Sequence, residues 1–200
     1  MILSRVDLEK EIGEGRVKFD PPLVRGQLGP ASIDLRLGRS FTKLRESPGM
    51  RISVADGLKA IGDSGLWVTK DYPELDEFQK RNTFVLEPRE FVLALTLEKI
   101  TIPNHLIALV EGRSTYARMG LSMHQTAPWL HPGWSGPIIL EVMNNGPVSI
   151  ELTPGIDRPC QLTFFELKTA LSASQAYGSG PDDIYQDQKH PLVHKRSDDG

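Results

Sequence analysis

Residues 31–38 read ASIDLRLG, and here the hydrophobic pattern of the chain changes. Apolar side chains recur at every second position, with Ile33, Leu35 and Leu37 separated by Asp34 and Arg36. An apolar period of two is typical of a β-strand that buries one face. The segment therefore predicts that the chain enters a β-sheet at this point.

The same pattern recurs in short segments through much of the remaining chain. The further predicted strands are 40–44, 66–69, 83–87, 90–97, 106–111, 137–143, 147–152 and 160–167. Turn signals such as Ser47-Pro48-Gly49 separate them. Many short strands joined by such turns predict a mainly β fold, either a barrel or a jelly roll. A parallel α/β sheet is disfavoured because helical crossover segments are missing.

Two short helices and a polar insertion interrupt the strands. Ser4 followed by Asp7 is typical of a helix N-cap with an acid in the first turn, and it predicts a helix over residues 4–13. A second helix is predicted over residues 114–119. Residues 55–82 contain polar, poorly periodic stretches, which we interpret as an insertion without assigned chemistry.

The end of the chain loses the β pattern. Residues 169–200 are polar and hold almost no aliphatic clusters, a composition typical of a flexible tail. The organisation predicted from the sequence is one β domain over residues 1–168, followed by a tail over residues 169–200.

Composition and charge exclude several classes of protein. The 200 residues carry a net charge of −3 at a pI of about 6.0, which gives no broad attraction to nucleic acid or to an anionic membrane. Cys160 is the single cysteine, so an intramolecular disulfide and a multi-cysteine zinc site are excluded. No apolar run is long enough to span a bilayer, and the N-terminus lacks a signal-peptide core. We therefore expect a cytosolic protein.

The segment richest in chemically useful side chains covers residues 111–143. It reads EGRSTYARMGLSMHQTAPWLHPGWSGPIILEVM. Backbone N–H groups at the start of the predicted helix, with Arg113 and Arg118 nearby, could hold an anion such as a phosphate. The alternative is that both arginines are solvated or salt-bridged at the surface. The histidines of the chain show no spacing typical of a metal site, and the zinc motif H-x-E with P-C-x-x-C is absent.

Glu141 lies inside the apolar segment PIILEVM. Strand alternation puts Ile139 and Glu141 on one face and Leu140 on the other. A carboxylate among apolar neighbours is costly unless it is paired. Glu141 is therefore either one partner of a structural ion pair, with Arg118 as a candidate, or a carboxylate tuned for proton transfer.

Short motifs follow one another in a specific order between residues 1 and 167. They are Ile33-Asp34-Leu35-Arg36-Leu37-Gly38, Gly112-Arg113-Ser114, Ala117-Arg118, Gly120-Leu121, Thr126-Ala127, Pro132-Gly133-Trp134-Ser135-Gly136, Leu140-Glu141, Asn145-Gly146, Pro154-Gly155 and Gln161-Leu162-Thr163-Phe164. In this order and spacing the chain resembles the dCTP deaminase family of the dUTPase-like superfamily. The tail resembles the family more loosely.

The resemblance implies a distorted jelly roll that assembles as a homotrimer, with active sites between subunits. It implies zinc-independent hydrolytic deamination of dCTP to dUTP and ammonia, which feeds the synthesis of dUMP and dTTP. The implied cofactor is Mg²⁺ bound through the substrate triphosphate, and dTTP is a candidate feedback inhibitor. In the family, the residue matching Glu141 takes a proton from the attacking water, while those matching Ser114 and Arg118 hold the water and the carboxylate.

The resemblance also implies a set of nucleotide contacts. The matching residues are Arg113, Ser114, Thr115, Tyr116, Ala117, Arg118, Thr126, Ala127, His131, Ile139, Leu140, Glu141, Tyr177 and Gln188. Ala127 matches a small residue beside the cytosine. The matches at Tyr177 and Gln188 imply that the tail closes over the phosphates as a lid.

Three positions depart from the family pattern. His131 stands where the family usually has an aspartate, Trp129 where a basic residue is common, and Ile184 where a tail lysine falls. The substrate could therefore differ from dCTP in its sugar, phosphate count or base modification. Trimeric dUTPases need that aspartate to activate water, and they usually lack a carboxylate at the position of Glu141, so the chain favours deamination. Open alternatives are a dUTP diphosphatase, a bifunctional dCTP deaminase/dUTPase and a non-catalytic nucleotide-binding regulatory protein.

Overall fold

Antiparallel strands are the dominant regular structure of the chain, which confirms the predicted mainly β fold. The computed structural model describes residues 1–49, 51, 53, 65–74, 82–181, 183, 185–188 and 191. In chain order the elements are α1 (Arg5–Gly13), β1 (Lys18–Asp20), β2 (Ile33–Leu35), β3 (Leu37–Leu44), β4 (Trp67–Asp71), β5 (Phe84–Leu86), β6 (Phe91–Thr101), β7 (Leu106–Gly112), α2 (Ser114–Ala117), β8 (Leu121–Ser122), β9 (Trp129–Leu130), β10 (Ser135–Asn144), β11 (Ile150–Leu152) and β12 (Cys160–Glu166).

Each predicted helix and strand has a counterpart in the structure, although the bounds differ. Helix α1 follows Ser4 as N-cap, and Asp7 completes the capping box as predicted. Helix α2 is shorter than the predicted 114–119. The pattern did not predict β1, β8 and β9, because strands of two or three residues are too short to show a period.

The described strands form three antiparallel sheets. The largest has the order β4-β3-β6-β10-β8, and β1 also pairs with β6. A four-stranded sheet has the order β2-β12-β7-β9, and β5 pairs with β11. Strands β2 and β3 belong to different sheets although only Arg36 separates them. The chain therefore passes from one sheet to the other at Arg36.

A buried carboxylate holds this crossover. Glu98, on β6, is fully buried and accepts hydrogen bonds from Arg36 Nε at 2.6 Å, Arg36 N at 2.9 Å and Gln27 Nε2 at 2.8 Å. Gln27 Nε2 also donates to the carbonyl oxygen of Asp34 at 2.8 Å. A buried charge is tolerated when it is paired and hydrogen-bonded. These bonds tie the crossover between the two sheets to the central strand of the larger one.

Strand β10 carries two different faces, as the alternation predicted. Ile138, Leu140 and Val142 are at most 3% exposed and point into the core, whereas Ile139 and Glu141 are partly exposed. Glu141 lies opposite Leu93 of β6 in the antiparallel register. The face that carries Glu141 is therefore free to line a site.

The cysteine and tryptophan side chains differ in how far they are buried in the core. Cys160 is fully buried, and this burial raises the pKa of its thiol. Trp134 is buried in the core, but Trp129 is 49% exposed, so its indole does not pack in the core of the subunit.

The predicted insertion and tail are described only in part. Residues 54–64 and 75–81 of the insertion region lie outside the described residues, while β4 within it pairs with β3. The described tail packs against the β domain, with Ala176 and Gln188 buried. The domain boundary at residue 168 stays a prediction. In the described ranges no helix is long and apolar enough to cross a membrane.

We expect Glu98→Gln to lower the free energy of unfolding by about 3 kcal/mol, because it leaves the Arg36 guanidinium without its buried counter-charge. The matched control is Glu9→Gln, which removes an exposed helix pair with Arg5 and should cost about 1 kcal/mol or less. Urea denaturation at one protein concentration measures both variants. Equal losses in the two variants would contradict the assigned role of Glu98.

Candidate functional site

A cavity opens on the partly exposed face of β10. It has a volume of about 330 Å³, within the range of small-molecule sites. Its lining residues are Leu93, Val110, His124, Ala127, Trp129, Leu130, Trp134, Ile138, Ile139, Glu141, Tyr185, Gln188 and Pro191. Strands from both large sheets and the C-terminal tail contribute to this wall. Apolar side chains dominate it, and Glu141 is the one carboxylate among the described lining residues.

Neighbouring backbone fixes the Glu141 carboxylate in the cavity. Gln125 N donates to Glu141 Oε2 at 2.9 Å, and Gln125 Nε2 donates to the Glu141 carbonyl oxygen at 3.2 Å. The segment before β9 is thus clamped to β10, with one carboxylate oxygen occupied. Glu141 forms no ion pair with any described residue, so the predicted alternative of a structural pair with Arg118 is wrong within one subunit. Sequence reasoning missed Gln125, whose role rests on its backbone N–H.

Helix α2 carries the other predicted catalytic residues, and its start is fixed by ion pairing. Arg113 Nε lies 3.1 Å from Asp34 Oδ2, and Arg113 Nη1 donates to the Arg158 carbonyl oxygen at 2.9 Å. Burial raises the pKa of Asp34 against the opposing charges of Arg113 and Arg158. For Arg113 the structure therefore shows the salt-bridged alternative.

Tyr116 anchors α2 from its other side. Its hydroxyl donates to Asp157 Oδ1 at 3.1 Å and accepts a bond from Arg158 N at 3.3 Å. Burial and the neighbouring Asp157 carboxylate raise the pKa of the Tyr116 phenol, so it stays a neutral donor. The arrangement explains why α2 is rigidly placed although it is only one turn long.

The structure divides the sequence-predicted residues into separate groups. Ala127, Ile139, Glu141 and Gln188 meet at the cavity. The exposed side chains of α2 and its C-cap lie outside it; these are Ser114, Thr115, Ala117 and Arg118. Thr126 is exposed and does not line the cavity.

Leu140 needs a correction. Its side chain is fully buried on the core face of β10, so it cannot contact a nucleotide in the cavity. Only the backbone of Leu140 remains available for such a contact. The prediction placed three successive residues at one site, and a strand turns alternate side chains to opposite faces.

His131 and Tyr177 form an anchor for the tail beside the cavity. Their rings stack at 6.1 Å between centroids and 15° between planes. Tyr177 N donates to the Pro132 carbonyl oxygen at 2.8 Å. Burial raises the pKa of the Tyr177 phenol. His131 thus contacts the tail of its own chain.

The turn before β10 lets the tail approach closely. Gly133 has a φ of +89°, and a Cβ there would lie 2.8 Å from both Ala176 Cβ and the Tyr177 carbonyl oxygen. Beyond this anchor the tail contributes Tyr185 and Gln188 to the cavity wall. Within the described part of the chain, no group of three or more His, Cys, Asp or Glu residues could hold a metal ion.

Comparison with known proteins places this chain in one family. The family model described as dCTP deaminase-like matches residues 2–167. A relative from Methanosphaera stadtmanae named "dCTP deaminase, dUMP-forming" is 35% identical over 198 residues, covering 99% of this chain and 95% of the relative. A "dCTP deaminase" from Haloarcula marismortui is 37% identical over 198 residues, covering 98% of this chain and 94% of the relative.

A solved structure shares the fold. The crystal structure of 2′-deoxycytidine 5′-triphosphate deaminase from Agrobacterium tumefaciens matches with a TM-score of 0.58 at 24% identity. The match covers 82% of this chain and 48% of the other, so this chain spans about half of that one. This likeness supports the jelly-roll type of architecture.

We expect Gly133→Ala to detach the described tail without unfolding the β domain, because the added Cβ meets Ala176 and the Tyr177 backbone. Hydrogen–deuterium exchange in peptides covering residues 174–188 should accelerate by about tenfold, equivalent to about 1.4 kcal/mol. Gly15→Ala is the control, since Gly15 has a φ of +68° but nothing within 4 Å of an added Cβ. Unchanged tail exchange in Gly133→Ala would contradict the packing described here.

Proposed function

The chain belongs to the dCTP deaminase-like family, and on this premise we propose that it catalyses the hydrolytic deamination of dCTP to dUTP and ammonia. The observation that carries the proposal is the single carboxylate of Glu141, fixed by Gln125 in a largely apolar cavity. A carboxylate positioned in this way can move protons between water and a bound base.

Glu141 acts first as a base and then as an acid. Its oxygen Oε2 accepts the Gln125 N–H, which leaves Oε1 to take a proton from water. The resulting hydroxide attacks C4 of cytosine, and the proton passes to the ring nitrogen. The carboxylate then takes the proton of the new C4 hydroxyl and passes it to the amino group, so that the C4–N4 bond breaks, ammonia leaves and the C4 carbonyl of uracil forms. Apolar walls from both sheets exclude competing water and strengthen these charge interactions.

Ser114 and Arg118 complete the site from a neighbouring subunit. Within one subunit both side chains are exposed on or beside α2, and Arg118 forms no ion pair with any described residue. The cavity has the converse property, because no lysine or arginine is among its described lining residues. The cation of Arg118 on one subunit and the carboxylate of Glu141 on another therefore have complementary charges. This complementarity supports the homotrimer with active sites between subunits.

A Mg²⁺ ion at this site would be held by the phosphates of the substrate. Mg²⁺ is usually bound through one or two carboxylates together with substrate phosphates. Glu141 is needed for proton transfer, and no second carboxylate is among the described residues of the cavity wall. This donor set fits a metal carried by the triphosphate. Inhibition by dTTP and a cytosolic location both stay predictions.

A bifunctional enzyme that continues to dUMP is the second candidate. The relative from Methanosphaera stadtmanae is named dUMP-forming, and it matches nearly the full length of this chain. Against this candidate, His131 stacks on Tyr177 and offers no carboxylate to activate a second water. Release of pyrophosphate separates the candidates, and tight binding without ammonia release would instead indicate a regulatory nucleotide-binding protein.

An assay with alternative nucleotides identifies the substrate. Ammonia is measured with dCTP, CTP, dCMP and 5-substituted dCTP in the presence of magnesium, with pyrophosphate measured in parallel and dTTP added as a possible inhibitor. We expect ammonia from dCTP without pyrophosphate. Ammonia from another nucleotide alone would keep the mechanism and replace the substrate.

We expect Glu141→Gln to lower ammonia release by about 10²- to 10⁴-fold, because the amide cannot accept the proton from water. The control is Glu151→Gln, an exposed carboxylate on β11 outside the cavity, which should keep full activity. Urea midpoints should agree within error for both variants and the parent chain. Retained turnover in Glu141→Gln would overturn the assigned role.

Subunit complementation tests the shared site. We expect sizing with light scattering to give a mass of three subunits, and Glu141→Gln and Arg118→Ala to be inactive separately. When the two variants are unfolded and refolded together in equal amounts, about one quarter of the sites regain both residues if these come from different subunits. No recovery in mixed trimers would place Glu141 and Arg118 in the same subunit.

A further inference from the structure

The tail is fastened to the β domain at a second point, separate from the His131 and Tyr177 anchor. Asp187 N donates to the Ser135 carbonyl oxygen at 2.9 Å, at the start of β10. The Asp187 carboxylate also forms an ion pair with Lys99 of β6. Both side chains of this pair are a little less than half exposed, at 44% for Lys99 and 42% for Asp187. This fastening is therefore open to solvent and sensitive to salt.

The backbone of Asp187 adopts a conformation that is unusual for a residue other than glycine. Its φ is +54°, in the left-handed region, which costs energy for residues other than glycine. Gly136, whose own φ is +151°, brings the start of β10 close to this point, since an added Cβ would lie 3.1 Å from Asp187 N. Asp187 is held in this conformation by its backbone bond to Ser135 and by its side-chain pair with Lys99. It therefore fixes the position of the neighbouring tail residues.

Two residues close to Asp187 in the tail reach the cavity. Gln188 is only 4% exposed, and Gln188 and Tyr185 both line the cavity that holds Glu141. Lys99 itself does not line the cavity. We propose that Lys99 is a positioning residue, which through its ion pair with Asp187 holds Tyr185 and Gln188 of the tail against the nucleotide site.

The Lys99–Asp187 ion pair, here called the latch, is weakened by a second acid. Asp20 of β1 lies directly opposite Lys99 in the antiparallel register, so Lys99 keeps a nearby counter-charge when the tail moves away. The latch therefore shifts the balance between a closed and an open tail and does not lock it. Removing one partner of an exposed pair should raise the open population roughly two- to fivefold.

Hydrogen exchange in the nucleotide-free protein tests the latch directly. In Lys99→Gln, exchange in peptides that contain the Asp187 amide should accelerate roughly two- to fivefold. Exchange at the Tyr177 amide, which belongs to the first anchor, should not change. Lys18→Gln is the matched control, because Lys18 lies on the adjacent strand β1 and forms no ion pair with a described residue. Equal exchange at Asp187 in Lys99→Gln and in the parent chain would overturn the proposal.

Charge reversal separates an ion pair from a packing effect. Lys99→Asp and Asp187→Lys should each open the tail, and the double variant should restore protection at residue 187. The effect of Lys99→Gln should also shrink in 1 M salt, where the Debye length is about 3 Å. Failure of the double variant to recover protection would show that the carboxylate and the ammonium do not act through each other.

Kinetics then connect the latch to the proposed function, on which this last step rests. In Lys99→Gln, KM for dCTP should rise roughly two- to fivefold while kcat changes by less than twofold, because the chemistry at Glu141 is untouched. A fall in kcat without a change in KM would contradict a positioning role. Should the protein not deaminate dCTP, the exchange experiments still decide whether the latch exists.

Discussion

The crossover at Arg36 is the constraint on which the rest of the structure depends. One residue separates β2 in the smaller sheet from β3 in the larger sheet, so a small change in its position would alter how the sheets face each other. Glu98 prevents this change, because its buried carboxylate holds both the side chain and the backbone N–H of Arg36. The Arg36 carbonyl oxygen accepts a bond from Leu97 N at 2.8 Å, which closes the contact from the backbone side. Burying this charge is unfavourable by itself, and it is offset here because both carboxylate oxygens of Glu98 are hydrogen-bonded in the observed placement of β6.

The cavity that holds Glu141 takes its walls from the two sheets that this crossover joins. Glu141 and Leu93 come from the larger sheet, while Val110 and Trp129 come from the smaller one. Both sheets therefore contribute side chains to the wall of the cavity. The tail closes the remaining side through Gln188. A carboxylate in such a position is surrounded by rigid strands, which is what proton transfer at a fixed atom requires.

The hydrophobic pattern predicted the strands and the faces of β10, but not the contacts between residues far apart in the chain. The period of two predicted the strands, and the alternation around Glu141 predicted which β10 residues face the core. The pairing of Arg36 with Glu98 joins residues 62 positions apart and leaves no local signal. Gln125 contributes through its backbone N–H, which any residue except proline supplies. The resemblance to a family named the α2 residues and Glu141 together, but spacing could not reveal that one subunit keeps them apart.

One of the three positions that depart from the family pattern, His131, contacts the tail of its own chain. His131 stands where the family usually has an aspartate, and in the structure its ring stacks on Tyr177. Together with the contacts of Asp187, this stacking holds the described tail against the β domain of its own chain. Under the proposed function, a nucleotide enters while the tail is displaced, and the Lys99–Asp187 ion pair then favours the return of the tail to the cavity wall. Weak, solvent-exposed fastening is suited to that role, because a tail held by a buried ion pair would open too rarely to admit the substrate.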